Sequence, residues 1–370
     1  MLSETIVSVF DHPEFDHHES VHFLADPHSG LRTIIAVHST ALGPAAGGCR
    51  RWTYASDDMA LTDVLRLSRG MTYKNAVAGL PFGGGKAVIL ASEEAPKSTQ
   101  LFEAFGRAVQ SLDGRYITAE DVGVSVDEMR IVRGATQFVS GLPQSGDSAG
   151  GDPSPWTALG VFLGIKAAAT ARLGSKSLEG LRIAVQGVGH VGLHLCRMLH
   201  EAGAKLVIAD VDNASLRSVC DLMPAELVSP QEILFSDVDV LAPCALGNVL
   251  NSETVPLIQA KIIAGAANNQ LATPEDGTRL AELGILYAPD YVINAGGIIS
   301  VAHEYHGQSS EKQVRADVGR IPWRLRDIFD EAVARKLPTN ALADDLARRI
   351  VENGNKNKEM KENTATLRIA

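Results

Sequence analysis

Short apolar runs alternate along the chain with longer stretches in which apolar residues recur every three or four positions. Runs with strand composition lie at 21–24, 31–37, 87–90, 115–118, 183–186, 206–209, 238–241, 261–264 and 285–288. Helical spacing predicts helices from Ser56 toward Lys74, over 101–112 and 157–171, and from 294 to about 351 with a break near Pro338. A capping-box pattern at 229–232 predicts one more helix start. Strands that alternate with helices indicate an α/β fold.

The clearest change in composition lies at 141–155, where twelve of fifteen residues are Gly, Pro, Ser or Asp. Such stretches favour loops, and a chain of 370 residues is long enough to form two hydrophobic cores. We therefore predict two domains. The first is an α/β domain at 1–141, completed by C-terminal helices from 331–370, and the second occupies 142–330.

The stretch 183–210 predicts a dinucleotide-binding unit of the Rossmann type. A strand is followed by a helical pattern and a second strand that ends in Asp210, and between the first strand and the helix lies Gly187-Val188-Gly189-His190-Val191-Gly192. The three glycines of such a turn allow a tight bend, an approach of backbone to a pyrophosphate, and close helix–strand packing. The helix start offers N–H groups to the phosphates. Asp210 can bond both ribose hydroxyls but would repel a 2′-phosphate, so we predict NAD rather than NADP.

Composition and charge narrow the possible function classes. A hydrophobic content of 45% and a charged content of 21% are typical of a soluble globular protein. The net charge of −10 argues against a general nucleic-acid surface and against binding to anionic membranes. The four cysteines show neither a disulfide framework nor paired zinc spacing. With no basic N-terminal segment and no run of 18 apolar residues, we expect a cytoplasmic protein without a metal site.

Two lysines, Lys74 and Lys86, lie near the ends of consecutive elements beside three glycines at 83–85. Solvated surface charges are the ordinary interpretation. Apolar neighbours support the alternative of a partly buried pair, in which like charge and loss of solvent would favour the neutral amine that can act as a base.

Three further positions leave alternatives open. Asp121 follows a strand and either faces a ligand cleft or caps a helix. Cys244 has no histidine or acid close in sequence, which favours a small buried residue over a nucleophile. For His17 and His18 a solvated surface pair is favoured over metal binding.

Eight segments of the chain resemble the amino-acid dehydrogenases of the glutamate/leucine/phenylalanine/valine group, most closely its leucine branch. They are GPAAGGCR (43–50), RGMTYKNAVAGLPFGGGKAVI (69–89), GRYITAEDVG (114–123), GDPSPWTALGV (151–161), VQGVGHVG (185–192), APCALG (242–247), AGAANNQL (264–271) and YAPDYVINAGG (287–297). The resemblance extends from about residue 20 to residue 350. It implies a homo-oligomer, often an octamer in this family, that catalyses NAD-dependent, reversible oxidative deamination of an apolar L-amino acid to the 2-oxo acid and ammonia.

The resemblance also implies roles for single residues. Lys74 would hold the substrate carboxylate, together with backbone around Gly47 and Gly48. Lys86 would activate the water that attacks the iminium carbon, and Asp121 would carry a proton to and from the substrate nitrogen. Asn269 would help hold both the substrate and the nicotinamide, and Thr157 would bond the nicotinamide amide. The other cofactor contacts would come from Cys244, Ala245, Ala267, Asn268 and Asn294, with the glycine-motif residues and Asp210.

Substrate preference is predicted only in part. The resemblance places the side-chain pocket at Ala46, Ala119, Ile298 and Val301, all apolar. Relatives that act on glutamate carry a lysine at the position of Ala46, so glutamate is disfavoured. Many leucine-specific relatives carry leucine there, and the smaller alanine leaves phenylalanine or another aromatic substrate as an alternative to leucine. A remote alternative is a non-catalytic NAD-binding regulator, which would have lost the lysines or Asp121.

Four residues depart from those most common in the family. Cys49 stands where threonine is common, Asp152 and His190 where asparagine is common, and Trp156 where alanine is common. Asp152 and Trp156 lie near the expected nicotinamide position, so these departures bear on turnover and cofactor affinity more than on the reaction type.

Overall fold

The structure is a computed structural model that describes residues 8–92, 96–142, 152–305, 307 and 310–366, with side chains as far as 358. The chain forms two compact units, Met1–Gln144 with Ala347–Ala370, and Ser145–Leu346. Most of the composition shift that predicted the domain crossing, residues 143–151, lies outside the described residues.

Residues 331–346 belong to the second unit, whereas the sequence pattern had grouped them with the first. Side-chain hydrogen bonds account for the difference. The Thr339 hydroxyl donates to the Tyr287 carbonyl at 2.7 Å, and the Tyr291 hydroxyl donates to the Asp344 carboxylate at 2.8 Å. Both bonds tie the C-terminal segment to elements of the second unit.

The first unit contains a mixed sheet with helices on both faces. Its elements are β1 (Ser20–Asp26), β2 (Leu31–Ser39), β3 (Ala45–Ala46), β4 (Cys49–Trp52), α1 (Asp57–Ala78), β5 (Gly83–Leu90), α2 (Thr99–Gln110), β6 (Tyr116–Ile117) and α3 (Val126–Ala135). The strand order is β1-β2-β5-β3-β6, and β4 also pairs with β5. β5 is antiparallel to β2 and parallel to β3 and β4.

The alternation of side chains along β5 divides the core of this unit into two layers. Val88 packs with Ile34 and Leu65 on the α1 face. On the opposite face Ile89 packs in the cluster that contains Phe102 of α2. Because side chains point alternately to opposite faces of a strand, Lys86 shares the face of Val88. The three glycines that open β5 give this end of the strand no side chains to pack.

The second unit is built on a six-stranded parallel sheet. Its elements are α4 (Ser154–Leu173), β7 (Arg182–Gln186), α5 (His190–Glu201), β8 (Lys205–Ala209), α6 (Asn213–Cys220), β9 (Ala225–Leu227), β10 (Val240–Pro243), β11 (Ile262–Ile263), α7 (Pro274–Glu282), β12 (Leu286–Tyr287), α8 (Asp290–Ile293), α9 (Gly296–Tyr305), α10 (Glu311–Val318) and α11 (Ile321–Arg335), followed by α12 (Thr339–Thr366). The order β12-β11-β10-β7-β8-β9 reverses direction between β7 and β10. Ligands of such sheets bind at the carboxyl ends of the strands on either side of this reversal.

Two local predictions from the sequence are wrong. At Ser229 only half of the capping box forms: the Glu232 carboxylate accepts from the Ser229 N–H at 3.3 Å and from the Ser229 hydroxyl at 2.6 Å, and the hydroxyl does not accept from a backbone N–H of the described residues. Only a single 3-10 turn (Ile233–Phe235) follows, because the chain soon re-enters the sheet at β10. His18 is buried rather than solvated. Its Nε2 lies 3.1 Å from the Leu65 carbonyl and 3.0 Å from the Ser68 hydroxyl on α1.

The described part of the chain contains no helix with the length and apolar character that crossing a bilayer requires. Within the same residues, no three His, Cys, Asp or Glu side chains gather in an arrangement that could hold a metal ion.

Candidate functional site

The turn after β7 is compact toward the protein and open toward solvent. Gly187 has a φ of +89°, which favours glycine, and a Cβ on Gly192 would overlap the Gly187 carbonyl oxygen. A Cβ on Gly189 would meet no described atom within 4 Å. Gly189 is also the N-cap of α5 and provides no side-chain hydrogen bond to the helix start. The turn therefore leaves space in front of the first N–H groups of α5, where His190 is exposed and Val191 is half-buried.

Asp210, which follows β8, faces this turn. Its Oδ2 accepts a hydrogen bond from the Val188 N–H at 2.7 Å, and its Oδ1 accepts from the Asp212 N–H at 2.9 Å. Each carboxylate oxygen has more than one lone pair, so both can still accept hydrogen bonds from hydroxyl groups. The carboxylate thus lies beside the glycine turn, as a ribose-binding acid requires.

The segment after β10 adjoins the same turn from the other side of the strand-order reversal. The Cys244 N–H donates to the Gln186 carbonyl at 2.7 Å, and a Cβ on Gly187 would come within 2.7 Å of the Ala245 methyl carbon. Burial raises the pKa of the Cys244 thiol to about 12. The thiol is therefore protonated at neutral pH, in agreement with the interpretation of Cys244 as a packing residue rather than a nucleophile.

Residues after β11 form a polar group with Asn294. The Asn294 amide nitrogen donates to Asn268 Oδ1 at 2.9 Å and to the Ala266 carbonyl at 3.0 Å. Asn294 Oδ1 is buried and has no hydrogen-bond partner among the described residues. Ala267 is buried, whereas Asn269 is exposed and has a φ of +51°. An unpaired buried acceptor beside a strand end is a position at which a ligand donor would be stabilised.

The start of α4 packs against the start of α9. The Thr157 hydroxyl donates to the Pro153 carbonyl at 3.1 Å, and a Cβ on Gly297 would come within 2.6 Å of this hydroxyl oxygen. Ile298 and Val301 follow on α9, three residues apart on one side of the helix and both half-buried.

Two of the departures from the family pattern also lie at the start of α4. Asp152 accepts a hydrogen bond from the Ser154 N–H at 2.9 Å, and the Trp156 ring lies 5.6 Å from the Arg315 guanidinium. Burial alone would raise the pKa of Asp152, but the hydrogen bonds from Ser154 outweigh burial and lower it. His190 and His194 contribute to this lowering.

In the first unit the structure brings Lys86 and Asp121 into direct contact. The Lys86 ammonium on β5 touches the carboxylate of Asp121, which lies in the turn after β6. The Lys86 side chain is 8% exposed and that of Asp121 is 22% exposed, so this ion pair is shielded from solvent. The alternative in which Asp121 caps a helix is wrong, because Ser125 is the N-cap of α3.

Two glycines make this contact sterically possible. A Cβ on Gly48 would come within 2.9 Å of the Asp121 Cβ, and one on Gly47 would overlap the Gly85 carbonyl oxygen. The Gly47 N–H donates to the Ile117 carbonyl at 3.1 Å and its carbonyl accepts from the Tyr116 hydroxyl at 2.7 Å. Gly47 therefore supplies space rather than a donor for a ligand.

Ala46 and Ala119 adjoin the glycines and Asp121 along the chain. Ala46 is buried on β3 and pairs with Gly84, while Ala119 is half-buried and its carbonyl accepts the Cys49 N–H at 2.8 Å.

The charges around Asp121 keep it ionised. Burial alone would raise its pKa, but the charge and hydrogen bond of Lys86, with a smaller contribution from Arg50, lower it. Burial, and then the charge of Asp121, raise the pKa of the Cys49 thiol well above its usual range. The sequence had suggested a pair of lysines. The structure gives Lys86 a carboxylate partner, while Lys74 lies half-buried on α1.

Sequence reasoning missed Asn75, next to Lys74. Its amide nitrogen donates to the Gly83 carbonyl at 2.6 Å and lies 3.5 Å from the Ala46 carbonyl, so it holds α1 against β3 and β5. An asparagine inside a helix is an unfavourable helix former, which could have served as the signal.

An ion-pair network beside Asp121 was also missed. Arg50 Nη1 donates to both carboxylate oxygens of Asp63 at 3.2 and 3.0 Å, and the Tyr54 hydroxyl donates to Asp63 at 2.6 Å. Arg50 Nε lies 3.8 Å from Asp121 Oδ2. These residues come from β4, the segment after it, and α1, and no short-range sequence pattern links them to Asp121.

Comparison with known proteins gives consistent results for both units. Residues 18–138 match a family model described as "Glu/Leu/Phe/Val dehydrogenase, dimerisation domain". Residues 152–216 and 211–345 match one described as "Glutamate/Leucine/Phenylalanine/Valine dehydrogenase".

Individual relatives cover almost the whole chain. A leucine dehydrogenase of Geobacillus stearothermophilus is 48% identical over 347 residues, 94% of each chain. An L-tryptophan dehydrogenase of Nostoc punctiforme is 48% identical over 342 residues, 92% of this chain and 95% of the relative. The crystal structure of L-tryptophan dehydrogenase from Nostoc punctiforme superimposes with a TM-score of 0.81 at 46% identity, and covers 92% of this chain and 97% of that chain.

Proposed function

The chain belongs to the glutamate/leucine/phenylalanine/valine dehydrogenase family, and on this premise we propose that it catalyses the NAD-dependent, reversible oxidative deamination of an apolar L-amino acid. Leucine and other branched-chain amino acids are the proposed substrates. The observation that carries the proposal is the shielded Lys86–Asp121 pair beside Gly48, in a chain that also carries a complete dinucleotide turn.

The residues around the glycine turn fit NAD. Bound NAD would accept the hydride from the substrate. The open side of Gly189 and the N–H groups at the start of α5 suit a pyrophosphate, and Asp210 suits the ribose hydroxyls. The unpaired Asn294 Oδ1 suits an amide donor. Thr157, Cys244, Ala245, Ala267 and Asn268 complete the proposed contacts.

Lys86 and Asp121 would divide the proton transfers between them. Hydride leaves Cα only when the amino group is neutral, so an acceptor for its proton is required nearby. Asp121 is ionised and can draw the substrate ammonium to itself. This second cation would compete with Lys86 for the carboxylate and favour the neutral amine form of Lys86, since like charges disfavour each other. Lys86 can then act as the base toward water.

The substrate carboxylate would be held by Lys74, with Gly48 as the neighbouring backbone. A fixed cation at this position sets the distance between Cα and the hydride acceptor. Gly47 would not donate to the carboxylate, because its N–H already bonds the Ile117 carbonyl. Asn269 would add a polar contact to the substrate.

The proposed determinants of side-chain preference are Ala46 and Ala119 in the first unit and Ile298 and Val301 in the second. The buried Ala46 methyl group cannot neutralise a distal carboxylate, which disfavours glutamate. Its small size supports a second candidate function, the deamination of an aromatic amino acid, to which the similarity with an L-tryptophan dehydrogenase also points. A regulator without activity would have lost the lysines or Asp121, and all three are present.

We further propose that the protein is a cytoplasmic homo-oligomer. Support for association comes from residues 18–138, which match a family model described as a dimerisation domain. Light scattering would measure the size of the oligomer and test whether it is an octamer.

The test of the proposal compares kcat/KM for leucine, valine, phenylalanine and tryptophan with NAD at alkaline pH. We expect absorbance from reduced nicotinamide, with leucine preferred. In the Lys86→Ala variant turnover is lost while NAD still binds, as measured by calorimetry. Sustained turnover by this variant would contradict the assignment of the base, and a preference for phenylalanine or tryptophan would replace the branched-chain assignment by the aromatic one.

A further inference from the structure

Arg50 presents an unused donor to Asp121. Its Nε is buried and has no hydrogen-bond partner among the described residues. It lies 3.8 Å from Asp121 Oδ2, the oxygen that the Lys86 ammonium contacts. The distance is too long for a hydrogen bond, but a shift of less than an ångström would make one. The donor and the acceptor therefore face each other across a gap that a small movement closes.

The opposite end of the Arg50 guanidinium is held in place. Nη1 donates to both oxygens of Asp63, and the Tyr54 hydroxyl donates to the same carboxylate. Burial and the bond to Asp63 raise the pKa of Tyr54, so this hydroxyl remains a donor. The guanidinium is thus fixed by α1 and presents Nε to the turn that carries Asp121.

We propose that Arg50 is a positioning residue that takes over the Asp121 carboxylate when the Lys86 ammonium leaves it. The proposal rests on the roles assigned above to Lys86 and Asp121. In the structure the carboxylate contacts Lys86, and catalysis requires Lys86 to become a neutral base. In place of the fixed Lys86 ammonium, the carboxylate would then face only the substrate ammonium, which leaves with the product, and a buried carboxylate without a fixed cation is destabilised. The Nε–H of Arg50 is the donor that can replace the Lys86 ammonium.

Arginine suits this role better than lysine. Its planar guanidinium can donate to Asp63 through Nη1 and to Asp121 through Nε at the same time, whereas a single ammonium cannot reach both. The groups that face Asp121 are Lys86 from β5, Arg50 and Cys49 from β4, Tyr54 after β4, and Tyr116 from β6. Burial raises the pKa of the cysteine and of both tyrosines, so among these five described groups the charge comes from Lys86 and Arg50.

The test is the pH profile of kcat/KM for Arg50→Gln and Arg50→Lys in the full-length protein. Because the charge of Arg50 contributes to the lowered pKa of Asp121, loss of this cation stabilises the protonated form of Asp121. The acid limb of the profile therefore moves to higher pH by about 0.5–1 unit in Arg50→Gln, less than the full effect of an adjacent charge because Asp63 neutralises part of it. In Arg50→Lys the acid limb stays at the wild-type pH because the positive charge is kept. Its kcat falls because a single ammonium cannot reach both Asp63 and Asp121. Affinity for NAD is unchanged in both variants.

Arg32→Gln is the matched control, since Arg32 is an exposed arginine of the first unit whose ion pair is with Asp57. Its profile coincides with that of the wild type. An equal shift in the control, or an unshifted limb in Arg50→Gln, overturns the proposal. If Arg50→Gln does not fold, the proposal is tested with Arg50→Lys alone. A kcat equal to that of the wild type in Arg50→Lys would then contradict the proposal.

The Asp121→Asn variant distinguishes an error in the proposed function of Asp121 from an error in the proposed role of Arg50. If this variant turns over normally, the proton-transfer role of Asp121 is wrong and the role of Arg50 falls with it. If Asp121→Asn is inactive and Arg50→Gln keeps the wild-type profile, only the role of Arg50 is wrong.

Discussion

The Lys86 ammonium contacts the Asp121 carboxylate directly, in a setting where both side chains are largely shielded from solvent. A base that is held as a cation by its own proton-transfer partner is inactive until that contact is broken. An arriving substrate ammonium would break it, so the pair couples substrate binding to the activation of Lys86. This relationship leads to the first prediction.

Lys86→Arg preserves the ion pair but removes the base, since a guanidinium remains charged at all accessible pH values. We expect kcat to fall by about 10²–10⁴-fold, with the melting temperature and the affinity for NAD close to wild type. Stopped-flow kinetics and calorimetry measure these quantities. Activity within tenfold of wild type, with tenfold marking about 1.4 kcal/mol, would show that Lys86 has only an electrostatic role.

Gly189→Ala should leave the stability of the fold unchanged, whereas Gly192→Ala should lower it. A methyl group at Gly189 meets open space, so stability is retained, but it occupies the proposed pyrophosphate position and weakens NAD binding about tenfold or more. A methyl group at Gly192 overlaps the Gly187 carbonyl oxygen and destabilises the fold by about 1–3 kcal/mol. Denaturant unfolding and NAD titration of both variants provide the measurement. Unchanged NAD affinity in Gly189→Ala would place the pyrophosphate elsewhere.

Asp210→Ala should reduce the discrimination between NAD and NADP. The variant loses a ribose acceptor, so kcat/KM with NAD falls about tenfold, and it loses the charge that repels a 2′-phosphate, so activity with NADP rises. Asp212→Asn serves as the control, because an asparagine is a good N-cap residue whose one side-chain oxygen can still accept one of the two N–H groups, of Ala214 and Ser215, that bond Asp212. A preference for NAD that persists in Asp210→Ala would mean that another group reads the ribose.

Ala46→Leu should narrow the proposed side-chain pocket. Ala46 is buried, so the added carbons fill space that a substrate would use. We expect kcat/KM for phenylalanine and tryptophan to fall by about 10–200-fold relative to that for valine, the range for such steric differences. Parallel loss for all substrates would indicate a general disturbance of β3 instead.

Glu128→Gln should destabilise the protein at neutral pH but not in acid. Burial alone would raise the pKa of Glu128, but hydrogen bonds from Ser125 and Lys97 lower it to about 2. The unfolded chain has a pKa of about 4.3. The contribution of ionised Glu128 to the free energy of unfolding is therefore present above about pH 4.3 and is lost as the pH falls toward 2.

The expected difference from wild type is about 1 kcal/mol at pH 7, because solvent screens a group near the surface. It narrows as the pH falls from about 4.3 toward 2. Urea unfolding at several pH values measures it. Glu103→Gln on the exposed side of α2 is the control and shows no such dependence. A constant difference across this range would contradict the lowered pKa.

The family, the α/β fold and the dinucleotide turn were predicted from the sequence, and the comparisons confirm the family and the fold. The turn was predictable because its parts are contiguous: a strand, three glycines, a helix and Asp210 follow one another within a single βαβ unit. The reversal of strand order between β7 and β10, which places Cys244 and Ala245 beside the turn, follows from topology and not from any local pattern.

The partners of Lys86 were not predictable in the same way. Asp121, Arg50 and Asp63 meet only after β4 and β5 pair and α1 packs on the sheet. The burial of His18 was missed for a related reason, since its bonds to Leu65 and Ser68 depend on where α1 lies. Individual residue roles in catalysis, and the functions of the two domains, remain predictions.

The burial of the Cys49 and Cys244 thiols has a practical consequence for labelling chemistry. Burial also raises the pKa of Cys196, so these three sulfur atoms stay protonated and unreactive toward alkylating reagents. Cys220, at the end of α6, is the exposed member of the four cysteines. A maleimide fluorophore would therefore react with Cys220 on the surface of the second unit, and no cysteine has to be introduced for this labelling.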